Sequence, residues 1–152
     1  MRRSRPWSER AACERGSASL EFLTVGMILL VPLVYLVLAV ASIQAAALGV
    51  EGAARQAARV AVLRADDAET APGGVERTVR VVLADYGVDA NAASVDVDCS
   101  AGCDVPGTRI TVRVRAAVAL PLVPQALASS SIGTVRLEST ATHTVSRFAG
   151  AS

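Results

Sequence analysis

From Phe22 to Val50 the chain carries no charged residue, and single acids, Glu21 and Glu51, close the run at each end. About 20 apolar residues suffice for a helix to cross the hydrocarbon of a bilayer. The stretch therefore predicts a membrane-spanning helix, and everything after it must fold in water on one side. Of 152 residues, a lead-in and one span leave room for a single small module of about a hundred residues. The hydrophobic fraction of 52% is raised by this run and by abundant alanine, so it does not require a second span.

The lead-in is basic. Residues 1 to 16 hold Arg2, Arg3, Arg5, Arg10 and Arg15 against Glu9 and Glu14, a net charge of +3. Positive charge beside a span favours the cytoplasmic side, which places the N-terminus inside and the C-terminal part outside. Between the last arginine and the apolar run stands Glu21. A carboxylate at the mouth of a membrane segment is expensive without a partner, and marks function by default. A cut after Gly16 would supply one: the new ammonium of Ser17 lies about one helical turn from Glu21 of its own chain, or meets that of a neighbour.

A basic leader ending in glycine, then R-G-S-A-S-L-E-F, then a long apolar helix resembles the signal of type IV pilins and pseudopilins. With its short leader and small C-terminal domain the chain looks most like the TadE-like family of tight-adherence (Flp) pilus systems. The resemblance covers residues 15 to about 50. It implies that a membrane prepilin peptidase cuts between Gly16 and Ser17, and that Glu21 serves assembly by neutralising the amino terminus of an adjacent subunit. It also implies partners, namely other pilin-like subunits and membrane-embedded pilus assembly machinery, and a place in the cytoplasmic membrane or a surface filament. Ser17 stands where many type IV pilins carry an aromatic residue. The division expected is leader 1–16, transmembrane helix 17–50 and exported domain 51–152.

Past the leader, ten arginines face twelve acids, a net charge of −2, which argues against a nucleic-acid partner needing a concentrated basic surface. Cys13 lies in the leader, whereas Cys99 and Cys103 lie in the exported part. In an oxidising compartment that pair is most simply a disulfide closing C-S-A-G-C.

Along the chain, residues 1 to 16 show no apolar periodicity and read as an unstructured tail, with a helix starting near Ser17 to Ser19. Pro32 deletes one hydrogen bond within it, which membrane helices tolerate. Ala41, Ala45, Gly49, Ala53, Ala57 and Ala61 recur every four residues and form a ridge of small side chains for close helix packing, including association of subunits. The opposite side carries Glu51, Arg55, Arg59 and Arg64, and the helix should end near Ala65. Asp66 to Gly74 reads as a loop. A second helix is expected from Val75 to about Tyr86, with Val75, Val79, Val82 and Leu83 as its apolar stripe and Gly87 as its stop. Three alternating stretches follow: Ser94 to Asp98 with Val95 and Val97 inward; Arg109 to Leu120 with Ile110, Val112, Val114, Ala116, Val118 and Leu120 on one face and Arg109, Arg113 and Arg115 on the other; and Thr134 to Ser146 with Thr140, Thr142 and Thr144 sharing a face. The fold class expected is α+β: a long N-terminal transmembrane helix reaching into a small pilin-like domain with a second helix and a three-stranded antiparallel sheet.

Chemistry is sparse. His143 has no sequence-local nucleophile, and cannot with the cysteines supply four zinc ligands. Asp96, Asp98 and Asp104 lack the spacing of a calcium loop. No glycine-rich phosphate loop follows a strand, and nothing calls for a cofactor, a small-molecule substrate or an enzymatic role. Two other readings remain open. Ala39-Val40-Ala41 before Ser42 is an A-x-A signal-peptide site, whose use would release a soluble binding domain. An uncleaved single-pass surface protein is the other, and in it Gly16 is dispensable.

Overall fold

The computed structural model describes residues 8–65, 71–123 and 133–148. In chain order they form helix α1 (Ser8–Leu63), helix α2 (Ala71–Asp85), a short 3₁₀ turn (Ala90–Ala92) and strands β1 (Ala93–Cys99), β2 (Arg109–Ala119) and β3 (Thr134–Thr144). The arrangement is α+β, with one long apolar helix, a second helix and an antiparallel sheet of order β1-β2-β3. The chain divides into two units, Met1–Ala39 and Val40–Ser152.

In the first unit the helix continues through Pro32. The side chains from Ala18 onward are exposed apart from half-buried Tyr35 and buried Ala39. The helix starts at Ser8, not near Ser17 to Ser19, so the lead-in is not an unstructured tail throughout. The reason is compositional: Ser8 to Arg15 reads S-E-R-A-A-C-E-R, rich in strong helix formers, and a helix already nucleated by the apolar run propagates back through such residues cheaply.

The second unit holds the core. On α1 Ala46, Val50, Ala53, Ala54, Ala57, Ala58 and Ala61 are buried, against Val75, Val79 and Leu83 of α2 and Ile110, Val112, Val114 and Ala116 of β2. Spacings of three and four residues bring the α1 set onto one face. Because most are alanine, what they bury is close backbone approach rather than bulk. Leu83 is fully buried, and a side chain of that size contributes about 2 kcal/mol by leaving water. Helix α2 runs back along α1: Gly49 lies against Tyr86, Gly52 against Val82, and Gly74 against Arg64.

Helix α2 begins at Ala71, so the expected loop ends earlier than Gly74. Proline at the second position of a helix forfeits no intrahelical bond, and Pro72 therefore starts α2 rather than blocking it. Residues 66–70 of that loop, and the serine run beyond Pro124, lie outside the described residues. The far end of α2 follows expectation. Gly87 adopts φ +69°, its N–H donates to the Ala84 carbonyl at 3.0 Å, and the Val88 N–H donates to the Leu83 carbonyl at 2.9 Å. With Leu83 and Val88 both buried, this is a Schellman cap with its hydrophobic contact.

Strand β2 is central, and alternation decides its burial: Ile110, Val112, Val114 and Ala116 turn to the helices while Arg109, Arg113 and Arg115 face water. Strand β3 pairs with β2 without a slip from Thr134 to Thr144, two residues short of the expected end. Val97 of β1 departs from the expectation of burial. It lies on the same face as Val95, yet remains 46% exposed because β1 is an edge strand near its C-terminal end.

Candidate functional site

The residues singled out by the sequence fall into three groups. The first is the processing region. Gly16 and Ser17 lie within α1, and positions 17 and 21 are one turn apart on the same face of the helix backbone. The Glu21 side chain is exposed, as are Phe22, Leu23, Val25 and the apolar residues that follow as far as Leu38, half-buried Tyr35 apart. Side chains of residues 8–17, Cys13 included, lie outside the described set.

The second group is the ridge of small residues, and it splits. Gly49, Ala53, Ala57 and Ala61 are buried inside the chain's own second unit, Ala45 is half-buried and Ala41 is exposed. From Gly49 onward the ridge thus packs this chain's own α2 and sheet. Only Ala41 and Ala45 offer small surface outward, which narrows the part of the ridge open to another helix. On the other side Arg55 donates to Glu51, an exposed pair one turn apart.

The third group is the cysteine loop. Cys99 and Cys103 are joined by a disulfide, with Cα atoms 5.4 Å apart. The loop it closes is also held by hydrogen bonds. The buried Thr108 hydroxyl accepts from the Ala101 N–H at 3.1 Å and lies 3.2 Å from the Ser100 hydroxyl. Ser100 in turn accepts the Arg109 N–H at 3.1 Å, and the Val145 N–H donates to the Thr108 carbonyl at 2.9 Å.

Reading single strands missed the ion pairs on the outer face of the sheet. Arg115 donates to Asp96 at 2.6 Å and to Glu138 at 3.0 Å, and Arg113 approaches Glu138 at 3.4 Å. Hydrogen bonding to Glu138, above all, raises the guanidinium pKa further above its ordinary value. The alternation of Asp96, Arg113 and Arg115 gave the face, but the partners depend on strand register, which Asp96↔Arg113 and Arg115↔Glu138 now supply. His143 is exposed opposite Ile110. Among the described residues no group of His, Cys, Asp and Glu could hold a metal ion.

What the geometry defines is an α+β protein with one helix long and apolar enough to cross a membrane. No family model, no curated protein and no solved structure matches the chain.

Proposed function

We propose that the chain is a pilin-like structural subunit, of the type the TadE-like resemblance implies. In this reading the protein is anchored in the cytoplasmic membrane by α1, cut between Gly16 and Ser17, and assembled through its N-terminal helix into a tight-adherence pilus or a related secretion assembly. The observation that carries it is the bare apolar surface of α1: the span-like window within Ala18–Leu63 is only 6% buried. A core helix of a water-soluble protein buries such a surface, whereas this one needs lipid or other subunits to cover it. Glu21 at its mouth suits the pairing mechanism, since the freed Ser17 ammonium would neutralise it across a subunit interface.

A second reading is favoured by one observation. The core-forming part of α1 starts at Ala46, so a signal-type cut after Ala41 would release a domain with its core intact. The deciding experiment is the N-terminal residue of the protein recovered from membrane and surface fractions of its native host, by intact mass. A start at Ser17 is expected, and Gly16→Leu should leave the leader attached. A start at Ser42 would replace the pilin reading by a secreted domain, and retention of Met1 would leave an uncleaved anchor.

A further inference from the structure

Along α1 covered surface appears by degrees, with Ala39 buried and Ser42, Ile43 and Ala45 half-buried, while the exposed side stays open as far as Leu48. Leu48 is 59% exposed while Ala46 and Val50 are buried. At that level the Tyr86 ring lies against Gly49, so near that a Cβ on Gly49 would fall 2.8 Å from Tyr86 Cβ and 2.9 Å from its Cγ. Tyr86 follows directly on the last residue of α2, is 45% exposed, and makes no side-chain hydrogen bond among the described residues. The first charges beyond it on α1 are Glu51 and Arg55, within about 10 Å of helical rise from Leu48.

An apolar ring with a hydroxyl tip is what the boundary between hydrocarbon and water favours. We infer that this part of the second unit meets the bilayer surface, with Leu48 at the outer edge of the hydrocarbon and the Tyr86 phenol among the lipid headgroups. This rests on the reading of α1 as a membrane anchor. Continuity argues for lipid as the occupant, because the exposed apolar surface reaches Leu48 and the ring begins one residue later. Charge narrows the lipid. Asp85 and Asp89 stand on either side of Tyr86 and are exposed, and Arg55 is already engaged by Glu51. The surface therefore fits zwitterionic headgroups rather than anionic ones. Gly49 makes the seat possible, since any larger residue there would push the ring away from the helix.

The test uses the full chain in phosphatidylcholine vesicles carrying nitroxide quenchers either on the headgroup or deep in the acyl chain. Trp7→Phe removes the single native tryptophan, and Leu36→Trp, Leu48→Trp and Tyr86→Trp are then introduced one at a time. Leu36→Trp should be quenched mainly by the deep probe. Tyr86→Trp and Leu48→Trp should be quenched at least twofold more by the headgroup probe than by the deep one. If Leu36→Trp is quenched while Leu48→Trp and Tyr86→Trp both emit as in water, the headgroup contact of Leu48 and Tyr86 is overturned and the anchor stands. If none of the three is quenched, the anchor itself fails and the inference with it. Leu48 is exposed on the helix, so its variant still reads the position should Tyr86→Trp disturb the cap.

Discussion

Leu83 shows how much of this small core depends on one side chain. It is fully buried where α2 meets α1 and the sheet, in a core otherwise dominated by alanine and valine. Leu83→Ala should cost about 3 kcal/mol, read as a shift in the denaturation midpoint of the second unit by near-ultraviolet circular dichroism, because the alanines around it cannot expand into the void. Gly87 depends on backbone rather than packing. Its φ of +69° lies in the left-handed region, so Gly87→Ala should cost about 1 kcal/mol in the same measurement although nothing touches a methyl group there. By contrast Arg115, with two carboxylate partners but half in water, should tolerate replacement by Met with a much smaller loss, since exposed ion pairs exchange one hydrated state for another.

At the level of elements, legibility followed periodicity. Strand β2 was readable because its alternation is unbroken from Ile110 to Val118, and α2 because Val75, Val79 and Leu83 recur at helical spacing with Gly87 behind them. Two ends were not readable. The start of α1 at Ser8 depends on cooperative extension from a neighbouring segment, which no local signal announces, and the start of α2 was hidden by Pro72, which reads as a breaker until its position in the first turn is known. The ridge from Ala41 to Ala61 was readable as a ridge, but its partner was not: small residues at that spacing suit any close helix neighbour, and only the fold assigns Gly49 to Ala61 to the chain's own domain. The cysteine loop was readable as a pair and redundant in its bonding. Replacing Cys99 and Cys103 together by Ser should lower stability by about 2 kcal/mol, the loop-closure term for so short a ring. The sheet signal in the far ultraviolet should persist, because Ser100, Thr108 and Arg109 still tie β1 to β2.

For the whole molecule, the proposed role predicts a separation between insertion and assembly. Glu21→Ala should leave the protein in the membrane fraction at wild-type abundance, because an uncharged residue only lengthens the apolar run, while lowering its incorporation into sheared filaments or cross-linked subunit ladders by about tenfold, the scale of one charge-assisted pairing of 1.4 kcal/mol or more. Unchanged incorporation would remove the pairing mechanism and leave helix packing alone to hold the assembly.

Helix α1 also supplies one wall of the core, through Ala46 to Ala61. In the proposed membrane setting, a helix drawn too deep into the bilayer would take that wall into the hydrocarbon and away from α2 and the sheet. Leu83, Val112 and Val114 would then have no lid, and the remaining segment could not close a core. Depth of insertion, on that reading, becomes a condition of folding, and a copy sunk too far would present itself to quality-control proteases as an unfolded chain.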